Sequence, residues 1–190
     1  MKSQLRKLIQ NQAVIRGQEF KMSSGGISRL VIDCSRVLRT HEGFCALRKV
    51  MAERLAYTDF DAVGGPLSGS EPICAAVMAE FAEKRAIDWF GVRKERKNRG
   101  YDRGLITGPL KSKQKVILVE DVCTTGGNLL RAIQAIEIED VKVQKIIVVV
   151  DRGGLSHVAE KTGLYCESIF VIDEIVDPKE LDDAKVFVLS

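Results

Sequence analysis

Two uninterrupted apolar runs, Val116-Ile117-Leu118-Val119 and Ile146-Ile147-Val148-Val149-Val150, constrain this chain more than any other feature. A strand with one wet face alternates apolar and polar residues, because successive side chains point to opposite sides of a sheet. An unbroken apolar run needs cover on both faces, which is the situation of a parallel sheet packed between helices. Each run stops at charge, the first at Glu120-Asp121 and the second at Asp151-Arg152. Ligands of open α/β sheets bind at the carboxyl ends of the strands, so these two charged ends mark where chemistry is expected.

The rest of the pattern supplies the covering helices. Leu5, Leu8 and Ile9 have helical spacing within 3–12, and Phe44, Leu47, Val50, Met51 and Leu55 share a face over 43–57. Glu71-Pro72 opens a helix in which Ile73, Val77 and Phe81 recur every fourth residue, and proline is tolerated in a first turn. Leu129, Ile133 and Ile136 place another helix over 126–138, and a shorter one is expected over 155–162. Between them, 19–23, 30–33, 61–65 and 168–172 read as strands, with a turn at Ser24-Gly25-Gly26. Strands alternating with helices predict an α/β fold with a mainly parallel sheet flanked by helices. At 190 residues the chain fits one domain, and its end reads as a short acidic helix from Asp177 followed by a closing strand at Val186-Phe187-Val188.

Composition removes several function classes. Apolar residues make up 45% and charged residues 29%, a globular balance. The net charge of +3 is too small for wholesale coating of nucleic acid. The window Arg93 to Arg103 holds six cations and two anions, a net +4, so the remainder sums to −1 and one basic loop carries the whole excess. The five cysteines are scattered without a C-x-x-C pair, which supports neither a disulfide framework nor a zinc clip and points to a reducing compartment. No signal-like apolar stretch opens the chain and no run of membrane-spanning length occurs, so a cytoplasmic location without membrane partners is expected. His41 and His157 stand apart and read as ordinary surface histidines.

The segment Glu120-Asp121-Val122-Cys123-Thr124-Thr125-Gly126-Gly127-Asn128 carries the chemistry. Thr124, Thr125, Gly126, Gly127 and Asn128 form a hydroxyl- and glycine-rich turn that enters a helix, where backbone N–H groups and the helix dipole favour a phosphate. Two carboxylates repel a phosphate, so their use is to accept hydrogen bonds from sugar hydroxyls or to meet a divalent cation. Phosphate plus ribose is the implied ligand. The plain alternative is a helix cap behind a solvated strand end. Neither G-x-x-x-x-G-K-[ST] nor G-x-G-x-x-G occurs, which argues against a triphosphatase P-loop or a dinucleotide turn.

The run Val119 to Gly127 resembles the phosphoribosyl pyrophosphate (PRPP) signature of type I phosphoribosyltransferases. Within that family Arg93-Lys94-Glu95-Arg96-Lys97-Asn98-Arg99-Gly100 is similar to the R-K-x-x-K-x-H-G stretch of the orotate branch, with Arg99 in place of histidine, and Val150-Asp151-Arg152 resembles its later Asp-Arg pair. The similarity extends through Phe20–Asp33 and Gly65–Ile73. It implies a small N-terminal hood over 1–35, an α/β core over 36–175 and a C-terminal tail over 176–190. It also implies transfer of 5-phosphoribosyl from PRPP to orotate, giving orotidine 5'-monophosphate and pyrophosphate in pyrimidine biosynthesis, with Mg2+ held mainly through PRPP. Lys97 and Asp121 are then the catalytic residues. PRPP contacts are expected from Arg93, Lys94, Lys97, Arg99, Ser68, Gly69 and the run Glu120 to Asn128, with Val122 and Cys123 inside it. Orotate contacts are expected from Thr124, Arg152, Val31 and Ile32. The resemblance further implies a homodimer in which loop 97–104 closes over the neighbouring subunit's site. Cations around a departing pyrophosphate stabilise its growing charge, and a closing lid excludes water.

Four further positions depart from the family pattern. Ser23 and Gly69 stand where lysines are common, and Val31 and Ile32 replace base-stacking aromatics. These departures keep two other readings open, a phosphoribosyltransferase for a purine or other base and a non-catalytic PRPP-binding regulator. For the basic loop the alternatives are a solvated hairpin or a nucleic-acid patch, the latter weakened because Tyr101 is its only aromatic. For Arg152 the alternative is a surface salt bridge with Asp151 or a neighbouring acid.

Overall fold

The computed structural model describes residues 1–21, 27–96, 104–183 and 185–186. Lys97, Arg99, Ser23, the 24–26 turn and Phe187-Val188 lie outside the described residues.

Six strands build the main sheet: β3 (Ala62–Pro66), β4 (Asp88–Val92), β5 (Ile106–Thr107), β6 (Lys115–Cys123), β7 (Lys142–Asp151) and β8 (Cys166–Val171), in the order β5-β4-β3-β6-β7-β8. All neighbours run parallel except β5, which returns antiparallel along β4. Among the described residues seven α-helices accompany the strands: α1 (Lys2–Leu8), α2 (Ser35–Leu38), α3 (His41–Leu55), α4 (Glu71–Phe81), α5 (Gly127–Glu137), α6 (Leu155–Thr162) and α7 (Pro178–Asp183). A second, antiparallel sheet joins β1 (Val14–Lys21), β2 (Ile27–Ile32) and β9 (Lys185–Val186) in the order β1-β2-β9. The tail therefore returns to pair with the N-terminal sheet.

The apolar runs do what their composition requires. Ile117 and Val119 of β6, with Ile147 and Val149 of β7, enter one core together with residues of α1 to α4. Val116, Leu118, Ile146 and Val148 enter a second core with residues of α5 and α6. Alternate residues thus bury on opposite faces, and no position is left to face water. The helical faces read from the sequence also hold: Leu47, Val50, Met51 and Leu55, then Ile73, Val77 and Phe81, then Leu129, Ile133 and Ile136 are all buried.

Several elements differ from the sequence reading, β6, α1, β4 and β5 among them. β6 does not stop at its two acids but continues through them to Cys123, because β7 keeps pairing with it as far as Asp151. Helix 3–12 ends early, and Ile9–Ala13 forms a wider π-helical turn leading into β1. β4 and β5 went unread, although Trp89-Phe90-Gly91-Val92 has the aromatic and β-branched character of a strand. They form the stem of the basic loop, closed by Gly91 opposite Thr107, Val92 opposite Ile106, and Arg93 N–H donating to Leu105 O at 2.8 Å.

The strand order has one consequence for function. From β3 the chain steps outward to β4 and β5, then returns to β6 on the other side of β3 and continues to β7 and β8. β3 and β6 are therefore the switch point, outside whose carboxyl ends a ligand crevice forms. Leu118 is fully buried in β6. Leu118→Ala should cost about 2–5 kcal/mol, read as a lowered midpoint in chemical denaturation with an unchanged slope.

Candidate active site

Pairing between β3 and β6 ends at Gly64 and Leu118, and beyond it the loops 67–70 and 124–128 enclose a crevice. Glu120 and Asp121 stand between them. Adjacent strand residues point to opposite faces, and the contacts follow that rule. Glu120 turns toward α5, where Asn128 Nδ2 donates to its Oε1 at 3.0 Å. Asp121 turns toward the 67–70 loop and accepts from Val122 N–H at 2.8 Å. A Cβ at Gly69 would lie 2.3 Å from Asp121 Oδ1, so the absence of a side chain at Gly69 is what admits the carboxylate. A lysine there would have to displace Asp121.

Burial dominates the electrostatics. Glu120 is only 4% exposed, and desolvation pushes its carboxyl up to about 7, offset in part by the Asn128 hydrogen bond and by the charges of Arg131 and Lys94. Asp121 is raised for the same reason, against its backbone hydrogen bonds and Arg39.

Two hollows meet at Glu120 and Asn128, which line both. The smaller, about 160 Å³, is ringed by the 124–128 turn and Arg131. Gly126 holds φ +79°, and a Cβ on it would sit 2.4 Å from Val158 Cγ2. This left-handed residue is the N-cap of α5, and the first-turn N–H groups that follow it have no carbonyl behind them. Thr124 and Thr125 are exposed beside them. Cys123 differs: its side chain is buried in the α5 core and its thiol is pushed up to about 12 by desolvation, so it offers the site only backbone. Val122 lines the same hollow.

The larger hollow, about 410 Å³, lies between loop 67–70 and β6. Ser68, Gly69 and Lys94 line it as the sequence suggested, and Asp33, Ser35 and Arg39 join them unforeseen. The Leu67–Ser68 peptide is cis. Asp33 follows β2 directly, and its Oδ1 accepts from Ser35 N at 3.1 Å and Ser35 Oγ at 2.5 Å. These three residues had no motif to betray them; only the placement of the small sheet brings them to the crevice. Arg93 sits lower, on the hairpin stem, with its Nη1 donating to Gly104 O at 3.4 Å.

Arg152 leaves β7 at its carboxyl end, and its backbone N–H donates to Cys123 O at 2.8 Å. Asp151 is engaged elsewhere, accepting from Gly153 N at 2.9 Å and Leu155 N at 3.1 Å at the start of α6. Among the described residues the Arg152 guanidinium has no carboxylate partner, so the surface pair with Asp151 does not form. Ile32 is buried in the core at 6% exposure, Val31 alternates to the other side of β2, and neither lines either hollow.

For a metal, no group of three His, Cys, Asp or Glu gathers among the described residues. The crevice carboxylates of Asp33, Glu120 and Asp121 already accept hydrogen bonds from the chain. Such a donor set fits a divalent cation that arrives on the phosphate oxygens of a ligand better than one held by the protein alone.

A family model for the phosphoribosyl transferase domain matches residues 33–182. The chain belongs to the phosphoribosyltransferase family. This phosphoribosyltransferase is 34% identical over 175 residues to orotate phosphoribosyltransferase of Corynebacterium glutamicum, covering 92% of this chain and 93% of that one. It is 32% identical over 174 residues to that of Rhodopirellula baltica, covering 87% and 89%. Among solved structures, Mycobacterium tuberculosis orotate phosphoribosyltransferase in complex with Fe(III) dicitrate superposes with a TM-score of 0.77 at 31% identity, covering 92% of this chain and 98% of that one. The same enzyme in complex with PRPP superposes at 0.72 with 25% identity, covering 92% and 91%.

Two outcomes follow from the site geometry. Gly126→Ala should cost at least about 1–2 kcal/mol from the left-handed backbone alone, and more from the Val158 clash, seen as a lowered melting temperature. Glu120 ionises near 4.5 when exposed and near 7 when folded. Its raised folded pKa means that stability is fully present at low pH and is lost as pH rises through about 7. Glu120→Gln should remove that loss and gain on the parent chain by up to ~3 kcal/mol at about pH 8, while the two converge at about pH 4 in urea titrations.

Proposed function

We propose that this phosphoribosyltransferase transfers the 5-phosphoribosyl group of PRPP to orotate, giving orotidine 5'-monophosphate and pyrophosphate in pyrimidine biosynthesis. The observation that carries this reading is the pair of hollows joined at Glu120 and Asn128, one ringed by the turn whose N–H groups enter α5 and the other lined by Ser68 and Lys94. A 5'-phosphate occupies the first, pyrophosphate the second, and the ribose bridges them. The relatives named for this activity, at 32–34% identity over most of the chain, support the choice of base.

In the reaction the anomeric C–O bond to pyrophosphate breaks and a C–N bond to the base forms, through an oxocarbenium-like state. Glu120 and Asp121 accept hydrogen bonds from the ribose hydroxyls, and the Asp121 carboxylate favours the positive charge that develops on the sugar. Thr124 and Thr125, with the N–H groups entering α5, hold the 5'-phosphate. Arg152 pairs in bidentate fashion with the planar carboxylate of orotate, a geometry lysine does not offer, and Thr124 adds a contact to the base. Mg2+, bound mainly by PRPP oxygens, supplies neutralisation of the diphosphate charge.

Lys94, Lys97 and Arg99 complete the cationic surround of the leaving group. We read the loop 97–104 as acting on the neighbouring subunit's site, which makes the working unit a homodimer, and we place it in the cytoplasm. No helix among the described residues is long and apolar enough to cross a membrane.

The deciding experiment is turnover with PRPP and Mg2+ against orotate, adenine, hypoxanthine, guanine, xanthine and uracil. Orotate should yield orotidine monophosphate and pyrophosphate. Turnover of another base alone would overturn the orotate assignment, and PRPP binding without turnover would favour a regulator. Arg152→Ala should raise the KM for orotate by roughly 10- to 100-fold while leaving that for PRPP within about twofold. Lys97→Ala should instead lower kcat.

A further inference from the structure

The hollow ringed by the 124–128 turn has a charge problem that its backbone does not solve. Glu120 forms one wall, and a phosphate placed against it faces a buried carboxylate. Among the described residues lining this hollow, Arg131 carries the only positive charge. It lies in the second turn of α5, three residues beyond Asn128 and therefore on the same helical face. Long side chains on a helix lean toward its N-terminus, which carries the guanidinium of Arg131 back over the turn.

Its hydrogen bonding fixes a second group. Arg131 Nη2 donates to Asn128 Oδ1. With that oxygen engaged, the amide of Asn128 can orient in one way only, and its Nδ2 donates to Glu120 Oε1 at 3.0 Å. A chain of contacts thus runs from the exposed guanidinium to the buried carboxylate. Arg131 has further N–H donors beyond the one given to Asn128, since a guanidinium carries five.

We propose that Arg131 is a donor-specificity residue that binds the 5'-phosphate of the ribosyl donor directly and, through Asn128, positions Glu120 for the ribose. The inference rests on the donor reading given above but not on the identity of the base. It assigns Arg131 to the phosphate end of the donor only. The pyrophosphate end lies in the other hollow, lined by Arg39 and Lys94 and not by Arg131.

The test measures binding of ribose 5-phosphate and of pyrophosphate, separately, to the full chain and to its Arg131→Ala and Arg131→Lys variants by calorimetry. Arg131→Ala should weaken ribose 5-phosphate by roughly 10- to 100-fold, the value of a charge-assisted hydrogen bond, and leave pyrophosphate within about twofold. Arg131→Lys should recover part of the loss, since charge returns without the forked geometry. Unchanged affinity for ribose 5-phosphate, or an equal loss for both probes, would overturn the inference. Arg131 is exposed, so matched melting temperatures are expected and confirm that folding is not what changes. If the parent chain binds neither probe, the donor reading falls and takes this inference with it. If the selective loss is seen in a chain that does not turn over orotate, the base assignment falls and the inference stands.

Discussion

Hydrogen bonding between β3 and β6 stops at Gly64 and Leu118, and from there the two strands lead their loops apart. β6 nevertheless continues to Cys123, paired among the described strands with β7. A strand paired on one side and released on the other leaves room for a ligand without losing its rigidity. Glu120 and Asp121 occupy that released stretch. Because they are neighbours in a strand, they turn to opposite sides: Asp121 lines the larger hollow, and Glu120 stands where the two hollows meet, which one ribose can bridge.

Burying these carboxylates is expensive, and the surroundings show how the expense is limited. Asn128 reaches back from α5 to Glu120, Val122 N–H serves Asp121, and Arg131, Lys94 and Arg39 place positive charge nearby without closing an ion pair on either. The carboxylates are left partly satisfied. Sugar hydroxyls would complete their hydrogen bonding, and ligand phosphates would meet cations not yet committed to them. Gly126 and Gly69 belong to the same economy of space: the first turns the chain left-handed into α5, and the second makes way for Asp121.

Much of this was legible in the residues. The glycine-rich turn, the two acids and the apolar runs are local patterns whose physics is contained in a dozen consecutive side chains. Asp33, Ser35, Arg39 and Arg131 were not legible, since nothing in their immediate neighbours distinguishes them from surface residues. Strands β4 and β5 were missed because one is five residues and the other two, too short for a periodic signal to emerge beside a basic loop. Val31 and Ile32, adjacent in sequence, face opposite sides of β2, and Ile32 belongs to the core.

The sequence by itself determined the parallel sheet, the helices on its two faces and the phosphate turn, because burial on both sides and helix entry leave periodic and compositional marks along the chain. Tertiary structure alone decided which strand end becomes the switch point, which carboxylate faces which hollow and which cations gather there. Those outcomes depend on strand order and on contacts between residues distant in the chain, and an amino-acid sequence carries no local mark of either.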